Sequence, residues 1–427
     1  MIVVPVIPSR RDALESTLHS MNLAAGKVDP DNTIIPFAQF STLHTARLVI
    51  LQANTGDDIR TYGWQPHHWP VSLALLGDVD GDATEFLAQL AVVAPSGLSM
   101  IFRHCEGYSE HQGSLLEFLK AHERRSAATY VNWIGRTVRS VSEDAKLQRS
   151  LSDALPDIVE SAGRENTRHI RQQLLDHVQH EVHAGRLSLT SDARTPLRYR
   201  LLTILHLVGL PVLLLVLSPL LLVLAPFVLW RLRSLETSDP DIDIRPDKRH
   251  LSSLSAIEDH DISNQFNVFG DIKPGVFRYA LLKVVMVLVD YTARHIYRRG
   301  NLGRVRTIHF ARWVFLNGNR SMYFASLYDG SLESYMDDFI NKVAFGLNLT
   351  FSHGVGYPRT RWMIKGGAES EQPFKDTLRR HQLPSQVWYK AHPGLTAIDM
   401  ARNARIRRGI EVYPTDDKLI RDWLADI

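Results

Sequence analysis

Two short motifs in this chain place a guanidinium three residues after an imidazole: HTAR, with His44 and Arg47, and HFAR, with His309 and Arg312. Histidine can ligate haem iron or act as a base, and a neighbouring arginine can stabilise developing negative charge. Together they are what a haem-peroxide site would need. Each motif lies in a β-rich run, LHTARLVIL from Leu43 and TIHFARWVFL from Thr307. Residues three apart on a strand face opposite sides, so one member of each pair should look inward. A carboxylate follows each motif, Asp80 in GDVDG and Asp329 in YDG.

Other clusters carry two readings each. His177, His180 and His183 in HVQHEVH share a helix face and could hold a metal with a ligand from elsewhere, or form a solvated face. Glu258, Asp259, His260, Asp261, Asn264 and Gln265 precede a strand and could supply acid/base groups, or caps and turn bonds. His104 and His353, and His122 and His381, read as satisfied structural histidines of strand ends and helices. P-loop, GxGxxG, GxSxG, HExxH and CxxC patterns are absent, which counts against nucleotide-dependent, hydrolase and structural-zinc functions.

The elements that would position these residues follow one order twice. The first half reads as strand 2–7, helix from about Arg10 to Met21, strands from Leu43 and Ser72, a helix capped by Asp82, and a strand LSMIFRHCEGY from Leu98. The second half gives strand FNVFGDIKP, a helix from Gly275, a hairpin from Thr307 to Gly330, a helix capped by Ser331, and a strand LTFSHGVGY. From Asp80-Gly81 and Asp329-Gly330 the copies align without a gap through His104/His353, Gly107/Gly356 and Tyr108/Tyr357. A further block aligns His122, Tyr130 and Gly135 with His381, Tyr389 and Gly394. The expected class is therefore α+β: two βαββαβ repeats, paired, separated by a helical membrane-associated insertion. Expected boundaries are 1–155 for the first repeat, 156–198 for an amphipathic helical segment, 199–233 for a membrane segment, 234–262 for a linker, and 263–427 for the second repeat.

A tandem pair of βαββαβ units resembles the dimeric α+β-barrel superfamily of ferredoxin-like folds, in which two sheets pack face to face. GDVDG is similar to the GxxDG pattern of the dye-decolorising peroxidases in that superfamily, and this resemblance would place their catalytic aspartate on Asp80. The second half, with EDHDISNQF, DIKPG, IHFARW, YMDDFINKVAFGLN and RHQLPSQVWYKAHPG, also resembles an uncharacterised family of bacterial membrane proteins. These likenesses imply architecture, and on the first of them a haem cofactor held by His309 or His44.

LLTILHLVGLPVLLLVLSPLLLVLAPFVLW, from Leu201 to Trp230, is 30 residues long without Asp, Glu, Lys or Arg. As a helix it would measure about 45 Å against about 30 Å of bilayer hydrocarbon. Arg194, Arg198, Arg200, Arg231 and Arg233 flank it where headgroups would lie. Paired halves must lie on one side of a membrane, so Pro211, Pro219 and Pro226 are expected to break the run into a re-entrant or in-plane hairpin with both ends on the cytoplasmic face, the alternative being a single tilted span. The apolar helix from Gly275 carries Arg278, Lys283, Asp290 and Arg294 and reads as packed or interfacial. The single cysteine, Cys105, excludes an intramolecular disulfide and fits a reducing compartment. A net charge of +3, with no interleaving of aromatic and basic residues, argues against nucleic acid and for a membrane surface. Two classes remain: a membrane-anchored module binding a lipid or other apolar small molecule, and a membrane-bound haem-dependent oxidoreductase. In the oxidoreductase the candidate residues are His309, Arg312, His44, Arg47 and Asp80, whereas in the binding module the His/Arg pairs keep the fold; no metal site beyond haem is expected.

Overall fold

The computed structural model describes residues 1–109, 113–163, 166–191, 195–300, 302–412 and 416–427. Eight strands build its two main sheets: β1 (Ile2–Pro5), β2 (Leu43–Leu51), β3 (Ser72–Val79), β4 (Ala128–Val131), β5 (Ser263–Asp271), β6 (Ile308–Leu316), β7 (Ser321–Asp329) and β8 (Ser385–Lys390). The helices used below are α1 (Arg11–His19), α2 (Ala83–Val93), α3 (Pro95–Phe102), α4 (Val138–Ala162), α5 (Thr167–His183), α6 (Leu197–Ser238), α7 (Val276–His295), α8 (Leu332–Phe351), α9 (Glu371–His381), α10 (Ala397–Glu411) and α11 (Asp417–Asp426). The chain is thus a mixture of helices and antiparallel sheets, as its α+β reading requires.

The sheets run β1-β3-β2-β8 and β4-β6-β7-β5, with every pair antiparallel. Their edge strands are exchanged. β8, from the end of the chain, closes the first sheet, and β4, from the first half, closes the second.

Strand alternation explains the packing. On β2, Ala46, Leu48 and Ile50 join a core beneath α1, α2 and α3, whereas Val49 and Leu51 turn to the opposite sheet. There they meet Phe269, Val314, Leu316, Tyr323 and Ala325 in one buried cluster drawn from both sheets. With both faces covered, β2 reads as a nearly continuous apolar run.

The strands expected at LSMIFRHCEGY and LTFSHGVGY are not strands. The first opens as the end of α3 and the second as the end of α8, and only single bridges follow, Cys105 to Val6 and Gly354 to Ile272. The short apolar runs fit helical spacing as well as extended spacing, with Leu98, Ile101 and Phe102 on one buried face. α3 lies so close to the preceding loop that a Cβ at Gly97 would stand 1.7 Å from the Ile34 carbonyl oxygen. The true fourth strands are β4 and β8, which carry the matched residues Tyr130 and Tyr389.

The boundary expected at 155 falls inside α4, which continues through Pro156 to Ala162. α5 is not a separate amphipathic segment. Ile170, Leu174 and Val178 pack with Leu147 and Leu151 of α4, Ile406 of α10 and Trp423 of α11.

The expected hairpin is also overturned, because α6 is one continuous helix of 42 residues with Pro211, Pro219 and Pro226 inside it. Each proline removes one backbone hydrogen bond, which a long helix can bend around without ending. α6 is long and apolar enough to cross a membrane, and none of its most apolar window is buried. Near its start, His206 Nδ1 lies 2.9 Å from His295 Nε2, and Tyr291 donates to the Leu207 carbonyl at 3.1 Å. Near its end, Arg278 donates to the Leu235 carbonyl at 3.1 Å, and Leu232 enters the core of the second sheet. All of these partners sit on α7, so α6 runs antiparallel beside α7 instead of projecting from the body.

Candidate functional site

The two His-Arg motifs build two clamps of matching geometry. His44 Nε2 lies 2.9 Å from Asp80 Oδ1, and the other oxygen of Asp80 accepts the Val138 amide, the first of α4, at 2.8 Å. In the second half, His309 Nε2 lies 2.7 Å from Asp329 Oδ1, and Asp329 Oδ2 accepts the Ala397 amide, the first of α10, at 2.7 Å. Each carboxylate therefore joins a strand to the positive end of a helix. The glycine after each aspartate, Gly81 or Gly330, has a positive φ of 84° or 87° that turns the chain.

The arginines point the other way, across the interface. Arg47 donates to Asn267 Oδ1 at 3.0 Å and to the Ser326 carbonyl at 3.2 Å, and lies 4.9 Å from the centre of the Trp388 ring. Arg312 donates to the Gly77 carbonyl at 3.2 Å and pairs with Asp78, which also accepts Thr45 Oγ1 at 2.6 Å. Gly77 and Ser326 hold the same register position in their sheets, opposite Ala46 and Ala311. Burial lowers the pKa of Arg47. Burial alone would raise Asp78, but the charge of Arg312 and the Thr45 bond leave it below the usual carboxylate range.

These residues do not fit a haem-peroxide site. Both Nε2 atoms face carboxylates, both oxygens of Asp80 are engaged, and the arginines are tied across an intersheet layer filled with side chains. The remaining sequence clusters are also structural. Glu258 accepts from Arg379 and Gln382, Asp261 pairs with Lys390, and Asp259 accepts the Leu332 amide at the start of α8. Asn264 bonds the Asp261 and Gly330 carbonyls, and Gln265 accepts Ser385 Oγ. His260 lies 2.7 Å from the Ala256 carbonyl. His177 bonds Ser150, and among the described residues no group of three metal-ligating side chains gathers. His104 and His353 are buried but not satisfied, since neither ring nitrogen of either finds a partner. Burial and the nearby Lys273 and Arg278 charges lower the pKa of His353 to about 3. His122 bonds the Phe118 carbonyl.

A second polar centre forms where DIKPG, the 55–69 segment with its short helix Gly56–Thr61, the end of α6 and RHQLP converge. Lys273, 2% exposed, donates to Asp239 at 2.8 Å and to the Ser352 carbonyl at 2.9 Å, while Arg278 donates to Asp239 at 2.6 Å. Asp271 accepts from Thr55, Trp69 and Ser321. Asp58, 1% exposed, accepts from His381 and Arg380, both at 2.8 Å. The His381 bond and both partner charges outweigh burial and hold Asp58 below its usual pKa. Burial, only partly opposed by Asp239, lowers the pKa of Lys273 to about 8.

Sequence reasoning missed this centre, although a signal existed. Asp271 pairs with Ser321 where Pro5 pairs with Ser72, so the first-half equivalents of Asp271 and Lys273 are Pro5 and Ile7. The strand does not require those charges. Beside the centre lies a cleft of about 650 Å³. Trp64, Val276 and Tyr279 wall it, and Lys273, Asp271 and Arg320 supply its charged groups. No family model, curated protein or solved structure matches this chain, so a functional reading rests on the geometry alone.

Proposed function

We propose that the protein is a membrane-surface module, a tandem pair of ferredoxin-like repeats, that binds a lipid or another apolar small molecule. The observation that carries this reading is the strand exchange around α6. β4 precedes α6 and pairs with β6, which follows it, while β8 follows α6 and pairs with β2, which precedes it. Chain on both sides of α6 thus belongs to the same two sheets, and a single crossing would pull both sheets apart. α6 therefore lies along the bilayer with its exposed side immersed, and its flanking arginines, Arg198, Arg200 and Arg231, meet anionic headgroups. Exposed Val284, Val287 and Leu288 of α7 extend the apolar face. The single cysteine and the arginines at both ends favour the cytoplasmic face.

Cysteines placed at Thr195 and Asp241, in a Cys105→Ser background, test the topology in sealed vesicles with an impermeant maleimide. Both should label from the same side. Labelling from opposite sides would overturn the reading.

A further inference from the structure

We infer that the cleft beside Lys273 is the ligand site of this module, and that its ligand is a single-chain anionic amphiphile, a carboxylate or phosphate carried on an alkyl tail. This deepens the membrane reading and rests on it for the source of the ligand.

Three observations converge. The cleft has apolar and aromatic walls, Trp64 from the first half facing Val276 and Tyr279 from α7, and Val276 is 86% exposed there. Nothing in the core requires so large an exposed apolar surface, whereas an alkyl chain would cover it. Cations stand around the same space: Arg320 lines it and is exposed, Lys273 lines it with its ammonium held by Asp239 and the Ser352 carbonyl, and Lys283, over the Phe315 ring at 3.7 Å, donates to the lining residue Asn319. The carboxylate that also lines it, Asp271, is covered by three donors and opposes an arriving anion less than a bare one would. Finally, the cleft adjoins the end of α6, to which Lys273 and Arg278 are tied through Asp239 and Leu235. Where α6 meets the headgroup layer, an anionic lipid has a short path into the cleft, tail along Trp64 and headgroup toward Arg320 and Lys273.

The test uses full-length protein in detergent and a bromine-labelled long-chain fatty acid, read as quenching of tryptophan fluorescence. Saturable quenching should largely vanish in Trp64→Phe. It should weaken at least about tenfold in Val276→Glu and in Arg320→Glu, whose exposed positions leave the fold intact by circular dichroism. Quenching that persists unchanged in all three variants would overturn the assignment, as would inorganic phosphate competing as effectively as the amphiphile. A lysophospholipid with a phosphate monoester headgroup competing better than the fatty acid would support the site and assign its ligand to the membrane. Vesicle flotation of the same variants separates the two readings. Flotation without quenching sinks the cleft alone, and quenching without flotation supports the cleft while sinking membrane attachment.

Discussion

Asp329→Ala isolates the function of the clamp. The substitution strands the Nε2 of His309, 6% exposed, the hydroxyl of Ser263, 3% exposed, and the first amide of α10. Ser263 can turn to the Leu395 carbonyl, 3.2 Å away, so two buried groups remain unpaired. At about 1–3 kcal/mol each, with a further fraction of a kcal/mol for the lost charge at a helix N-terminus, the loss should be about 3–5 kcal/mol. Asp80→Ala makes the matching change in the first half, where the carboxylate side chain is 22% exposed and water can replace it, and should cost only about 1–2 kcal/mol. Asp329→Asn keeps one acceptor for two donors and should recover about half of the loss. Urea unfolding followed by far-ultraviolet circular dichroism measures all three. Equal losses at Asp80 and Asp329, or a stable Asp329→Ala, would refute the clamp, because burial of the donors is the whole basis of the difference.

Three further changes probe other links. His353→Leu removes an unpartnered imidazole whose pKa is held near 3 in the fold and returns to about 6.5 on unfolding. As pH falls below 6.5 the unfolded chain gains this proton first, so stability declines toward pH 3. Between pH 7 and pH 5 the wild type should lose about 2 kcal/mol that the variant keeps, read from denaturation midpoints at each pH. Arg312→Met should cost about 3–5 kcal/mol by leaving Asp78 charged between the sheets, and adding Asp78→Asn should restore part of it, a coupling that a double-mutant cycle measures. Gly97→Ala forces a methyl into the Ile34 backbone and should abolish accumulation of folded protein, scored by gel filtration.

Much of the fold was legible because its local signals recur in the two halves. Asp-Gly turns, His-Arg motifs and helix caps recur at matching places, and the alignment of Tyr130 with Tyr389 marks the fourth strands even though their apolar runs are short. LSMIF and LTF were misread because runs of three to five residues satisfy both periods, and packing selects the helix, against Ile34 for the first and against Trp313 and Phe324 for the second. The prolines of α6 misled for a related reason. Proline weakens a helix locally, but no competing element gathers the residues between Pro211 and Pro226. Strand exchange leaves no trace in either half taken alone, since an edge strand pairs through its backbone and its side chains fit either sheet. Nor could spacing show that Asp239 meets Lys273 or that Asp58 meets His381, because segments far apart in sequence bring them together.

Positions where the two copies carry the same reactive residue look, in sequence, like the best candidates for chemistry. The geometry argues the reverse. Both halves must seat a strand against a helix end and tie one sheet to the other, so His44 and His309, Asp80 and Asp329, and Arg47 and Arg312 recur because the mechanical demand recurs. Where one copy departs, as with Asp78 against Leu327, the other strut finds a neutral partner in Asn267, so even the charge is dispensable there. Asp271 and Lys273 are also buried charges of one half only, but they belong to neither strut. Pro5 and Ile7 complete their strand and loop without charge, whereas Asp271 and Lys273 put a buried carboxylate and a buried ammonium beside a cleft. The proposed ligand site therefore lies at Lys273 and not at the motifs the two halves share.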